Sequence, residues 1–173
     1  QKRVHEMIGM EVVQQSKNSL LIKDIAPAQN ASFDALLRRV FFMLHTVSDE
    51  VIVALRKGET DLEYLADMEE NINRFTDHCF RMLNKNGAPV YSQTPVMYAV
   101  VLGLEQLADE YKRLIKLVQT NKIKVDEDDV ALCERVGKLF KEFESLFYQF
   151  SYADAATIAK ERDRIVSEVE KRL

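Results

Sequence analysis

TPVMYAVVLGLEQLADEYKRLIKLVQT, residues 94–120, is the stretch whose reading decides the fold. Met97, Val101, Leu104, Ala108, Tyr111, Ile115 and Val118 recur at alternating steps of four and three. At 100° per residue those positions share one stripe of an α-helix, whereas a strand would need alternation at every second residue. Thr94 followed by Pro95 reads as an N-cap with proline at the first helical position. A helix of this length extends about 40 Å at 1.5 Å per residue. It therefore needs neighbours of similar length to bury its stripe.

Both sides supply them. Upstream, Gly87 and Pro89 close a helix that Thr60 caps and that runs to about Lys85, with Leu65, Met68, Ile72, Phe75, Cys79 and Met82 as its stripe. Before it, Asn30 or Ser32 caps a helix that ends near Lys57 and Gly58, with Phe33, Leu37, Val40, Leu44, Val47, Val51 and Ala54 facing inward. Downstream, Asp126 with Asp129 opens a fourth helix to about Gln149, its stripe being Cys133, Val136, Phe140, Phe143, Phe147 and Phe150. Ser151 with Asp154 resembles a capping box and opens a fifth helix reaching Leu173. Long helices joined by short loops fold back on one another, so the expected class is an all-α bundle of antiparallel helices packed at shallow angles.

The first 27 residues read differently. Aliphatic runs at Glu11–Gln14 and Leu20–Ile25 flank the turn-prone Lys17-Asn18-Ser19, and Pro27 breaks the chain. This is a short β-hairpin-like leader, 1–27, ahead of a helical region, 28–173. Such a hairpin needs a body to pack on. A first residue of Gln rather than Met points to further sequence upstream.

Composition narrows the functional classes. Five glycines and three prolines in 173 residues suit long uninterrupted elements. The formal net charge of −4 carries no basic signal for nucleic acid. The longest apolar runs, such as Val40–Leu44, are far shorter than a membrane span, and the polar opening QKRVHE is no signal peptide. Cys79 and Cys133 are far apart and form no C-x-x-C pair, which fits reduced thiols in the cytoplasm.

The helical region repeats weakly. Setting Val40 on Val136 brings Leu44 onto Phe140, Val47 onto Phe143, Val51 onto Phe147 and Ala54 onto Phe150. After a three-residue shortening, Asp61, Ala66 and Ile72 fall on Asp154, Ala159 and Ile165. Two three-helix units are implied, the last helix missing, its place left open or filled by a partner subunit or a swapped element.

Chemistry-bearing residues are few. Glu105 and Asp109 stand four apart on one helical face, next to Val101, Leu102 and Ala108. Glu69 and Asn73 have the same spacing, and Asp77 extends their line by another turn. A carboxylate against an apolar stripe needs hydrogen bonds, an ion pair or a metal. Facing acidic pairs on adjacent helices would give an oxygen-rich site for a cation. The plainer reading pairs these carboxylates with Lys112, Arg113 or Arg74 at the edge of the core. His5, His45 and His78 make no H-E-x-x-H or E-x-x-H pattern. Cys79 lies on a core stripe and reads as a buried structural thiol. Arg38 and Arg39 read as a solvated face, and Asp126–Asp129 as a partner of the helix dipole. No glycine-rich phosphate loop and no Ser-His-Asp order is present, and nothing argues for catalysis.

DMEENINRF at 67–75 and LEQLADEY at 104–111 resemble the second- and third-helix patterns of the PhoU family of phosphate-uptake regulators. The resemblance covers about residues 30–173 and is clearer in the first unit. The leader, with IGMEVVQQSKNSLLIKDIAP, resembles archaeal-type members that carry an AbrB-like DNA-binding domain upstream. The resemblance implies a cytoplasmic, non-enzymatic regulator of phosphate uptake acting through protein–protein contacts. Its expected partners are a second copy in a homodimer and components of the phosphate transporter or sensor, with DNA reached only through an upstream domain and no insertion into the membrane. Some members bind iron or zinc through the acidic motifs. Carried over here, the ligands would be Glu105, Asp109, Glu69 and Asn73, or there is no metal at all. Asn73 stands where the family has Asp, and Arg162 and Val166 replace the second-unit counterparts of Glu69 and Asn73. That argues for one ion at most. Two other readings stay open: a carboxylate metal protein, perhaps enzymatic in other hands, and a purely structural dimerisation module.

Overall fold

The structure is a computed structural model that describes residues 10–15, 20–24, 32–57, 63–121 and 125–172. From Phe33 onward it is helical: α1 (Phe33–Lys57), α2 (Glu63–Asn86), a 3₁₀ turn at Tyr91–Gln93, α3 (Thr94–Asn121), α4 (Glu127–Tyr148) and α5 (Tyr152–Arg172). Ahead of them, β1 (Met10–Gln15) pairs antiparallel with β2 (Leu20–Asp24). Val12 faces Ile22 and Gln14 faces Leu21, so the ladder shifts register between Val12 and Gln14. The expectations at Lys17–Ser19, Pro27, Asn30, Gly58, Thr60, Asp61 and Leu173 lie outside the described residues.

Helix boundaries follow local chemistry. Ser32 Oγ accepts from the Ala35 amide at 3.1 Å and opens α1. Asp126 and Asp129 exchange side-chain and backbone hydrogen bonds, so the capping box forms at α4 with the acidic first turn that the helix dipole favours. Ser151 Oγ accepts from the Asp154 amide at 3.4 Å before α5. Gly87 ends α2 at φ +71°, and its amide donates to the Leu83 carbonyl at 2.9 Å. A Cβ there would lie 2.9 Å from Tyr91 Cδ2 and 3.2 Å from Thr94 Oγ1, so both backbone and space require glycine.

Two expectations need correction. Thr94 is not an N-cap: its own φ and ψ are helical, and the 3₁₀ turn precedes it. Its hydroxyl instead accepts from the Ala88 amide at 2.9 Å, tying α3 to the turn after α2. Phe150 is not on the core stripe of α4. The helix ends at Tyr148, and Phe150 is 66% exposed, edge-to-face with Tyr152.

The chain forms two compact units. The first comprises Gln1–Leu44 and Glu63–Arg113. Its core holds Leu37, Val40, Phe41 and Leu44 of α1, Leu65, Ile72, Cys79 and Leu83 of α2, and Val101, Leu104 and Ala108 of α3. Glu69 meets Lys112 while Phe80 stacks on Tyr98, so partners descend along α3 as they ascend α2 and the two helices are antiparallel. The Arg39 guanidinium lies 5.0 Å over the Phe75 ring, joining α1 to α2. Each fully buried large aliphatic side chain adds about 1.5–3 kcal/mol.

The second unit comprises His45–Leu62 and Leu114–Leu173. Val47, Val51, Ala54 and Leu55 of α1 are buried with Ile115, Val118, Val130, Phe140 and Ile165. His45 meets Glu144, Asp49 meets Lys141 and Arg56 meets Glu134, so this part of α1 runs antiparallel to α4. Arg135 bridges α4 to Glu161 and Glu168, while Arg172 reaches Asp129, which makes α4 and α5 an antiparallel pair.

Candidate functional site

The residues singled out in the sequence fall on α2 and α3 of the first unit. Glu69 is buried, at 3% exposure, among otherwise apolar side chains. Its two oxygens are taken: Asn73 Nδ2 donates at 2.6 Å and Lys112 Nζ at 2.7 Å. Asn73 presents its donor end to Glu69, and its Oδ1 is buried without a hydrogen-bond partner among the described residues. Thr76, fully buried one turn on, donates to the Asn73 carbonyl at 3.0 Å. The Lys112 ammonium therefore supplies the positive charge that Glu69 needs.

Glu105 and Asp109 form a second group. Burial pushes the Glu105 carboxyl above its ordinary range, and the charges of Asp77 and Asp109 push it further in the same direction. Asp77 comes from α2, so one facing pair of carboxylates does span the two helices. Arg113, a proposed ion partner, turns to Glu110 at 2.7 Å instead.

The expected four-residue ligand set is thus divided between two environments. Glu69 and Asn73 are organised around an ammonium, and Asp77, Glu105 and Asp109 are crowded without one. Among the described residues no three His, Cys, Asp or Glu side chains converge at metal-holding spacing. The donor set does not fit a multinuclear cluster. An amide directed at a carboxylate, with a lysine beside it, occupies the half of the site where further anionic ligands would be needed.

Two features escaped sequence reading. His45 was one of three scattered histidines, but its Nε2 lies 2.5 Å from Glu144 Oε2 and its ring packs 4.6 Å from Phe140. The partners are 99 residues apart, and only the antiparallel register of α1 with α4 joins them. The second is a groove of about 400 Å³ between α4 and α5, lined by Lys138, Lys141, Ser145, Gln149, Thr157 and Ile158 among others. Its lysines are committed, Lys141 to Asp49 and Lys138 to Glu142, so it offers little to an anion.

Neither thiol is activated. Cys79 is fully buried, and burial pushes it up to about 12. Cys133 is raised by burial first and by Asp129 second.

No match is found among protein families, among curated proteins or among solved structures. Among the described residues no helix is long and apolar enough to cross a membrane.

Proposed function

We propose that this chain is a PhoU-like regulatory module: a cytoplasmic, non-enzymatic bundle of two repeated helical units that acts as a homodimer through protein–protein contacts in phosphate homeostasis. One observation carries the reading. The two stretches with the family-like patterns, DMEENINRF and LEQLADEY, lie on antiparallel neighbours α2 and α3, and the Glu69–Lys112 ion pair joins those helices. The repeat adds support, since Leu44 and Phe140 are both buried, as are Ile72 and Ile165. Thiols held protonated and the absence of a nucleophile–base pair among the proposed residues fit regulation by contact rather than by turnover.

Deleting the gene in its host and following phosphate uptake in phosphate-rich medium tests this reading. Uptake should rise, and the wild-type chain supplied in trans should restore restraint. Unchanged uptake sinks the proposal.

The crowding of Asp77, Glu105 and Asp109 favours a second reading, in which one divalent cation relieves the repulsion between them. Metal analysis of the purified chain beside Glu105→Ala decides it. A stoichiometric ion lost in the variant supports a metal protein, and equal, substoichiometric content in both rejects it.

A further inference from the structure

Residues 86–104 contain no charged side chain, although 30% of the chain is charged and a stretch this long would carry about six. The stretch is not hidden. Val90 is 52% exposed, Tyr91 81%, Val96 58%, Tyr98 40% and Leu102 42%. Of α3, Val101, Leu104 and Ala108 point into the core of the first unit, and the opposite side of its first three turns presents Val96, Ala99, Leu102 and Gly103. A Cβ placed on Gly103 would meet nothing within 4 Å. The helix is therefore apolar on both sides at its N-terminal half and becomes amphipathic only from Glu105 onward.

We infer that this uncharged face of α3 packs against the same face of a second copy of the chain, the two α3 helices crossing antiparallel near Ala99. The inference names the surface of the dimer in the preceding reading and rests on that part of it alone. Three observations choose a second copy. A two-fold contact lays a surface on itself, so any charge there would meet its like, and this is a long stretch of the helical region without one. A crossing centred on Ala99 sets Val96 opposite Leu102 of the other copy, while Ala99 and Gly103 carry no side chain that would hold the helices beyond the usual 8–10 Å. The five exposed side chains present about 500 Å², at the upper end of patches left open on monomers. Doubled by symmetry, that reaches the roughly 1,000 Å² at which an interface becomes specific. A bilayer surface is a poorer match, because no Lys or Arg lies between Lys85 and Arg113 except Lys112, which is held by Glu69.

Light scattering behind gel filtration, run from low to high micromolar concentration on the 173-residue chain, tests the proposal. The wild type should be a dimer, and Leu102→Asp should weaken dimerisation about 30-fold or more while leaving the helical circular dichroism unchanged. Should Leu102→Asp fail to fold, Ala99→Cys in a Cys133→Ser background decides: mild oxidation should link two chains through residue 99. A dimer indifferent to Leu102→Asp and without that cross-link overturns this surface but leaves the dimer. A monomer at every concentration overturns both. A monomer that floats with phosphatidylcholine vesicles overturns both in favour of a lipid surface.

Discussion

Gly137 and Ser48 are in closest approach between α1 and α4: a Cβ at position 137 would sit 2.8 Å from Ser48 Oγ. Ser48 is 1% exposed, and its hydroxyl has no hydrogen-bond partner among the described residues. An unpaired buried hydroxyl costs about 1–3 kcal/mol. Ser48→Ala should therefore stabilise the protein by about 1 kcal/mol in urea unfolding. Gly137→Ala gains about 1 kcal/mol of helix propensity but meets the hydroxyl. Its effect should be near zero alone and favourable by about 1 kcal/mol in the Ser48→Ala background. Simple additivity in that double-mutant cycle would mean the two side chains are not in contact.

Lys112 protects Glu69. Removing a partner from a buried charge is costly, and Lys112 is itself about a third exposed, so solvent recovers part of the loss. Lys112→Met should destabilise by about 1–3 kcal/mol, and adding Glu69→Gln should recover most of it. If Lys112→Met alone unfolds at the wild-type denaturant concentration, the ion pair contributes nothing.

Glu105 works in the opposite direction. Its carboxyl is raised, so the fold binds this proton more tightly than the unfolded chain does. The penalty is complete above its folded value and absent below the ordinary carboxylate value. Glu105→Gln should raise Tm at pH 7 by no more than about 2 °C, and the gain should disappear near pH 4. A gain that persists at low pH would assign the effect to packing rather than charge.

Much of this was legible in the sequence because its apolar periodicity is unbroken. Steps of three and four gave the helices, and Asp126 with Asp129 gave the start of α4, because those signals are local. Phe150 misled because it continues the spacing, whereas the backbone leaves the helix at Gln149 (φ −136°, ψ 83°). Thr94 misled because a Thr-Pro pair looks the same whether threonine caps its own helix or reaches back to Ala88. At the site, the spacing identified Glu69, Asn73, Glu105 and Asp109 as neighbours along each helix. It could not say that Lys112 reaches Glu69 or that Asp77 faces Glu105, because those depend on the register between α2 and α3.

The thiols should differ in reactivity. A thiol pushed up to about 12 is almost wholly protonated at pH 8, and Cys79 is fully buried as well. Iodoacetamide followed by mass spectrometry should label Cys133 slowly and Cys79 only after denaturant is added. Native labelling of Cys79 first would mean that the core of the first unit opens more readily than that of the second.

Arg135 gives α5 its acid sensitivity. Hydrogen bonds from its guanidinium hold Glu161 and Glu168 below the ordinary carboxylate range, at 2.9 Å to Glu161 and 2.5 Å to Glu168. A carboxyl lowered in the fold contributes stability that is present above its unfolded value, about 4.3, and is lost as the pH falls through the folded one. All three side chains remain partly in water, which limits the contribution. Arg135→Ala should lower Tm by about 2–4 °C at pH 7 and speed amide exchange along α5 more than along α2. The gap between the two proteins should narrow steadily below pH 4, since the wild type then loses what the variant never had. A gap independent of pH would show that Arg135 acts through the packing of its methylene stem on α5 rather than through its charge.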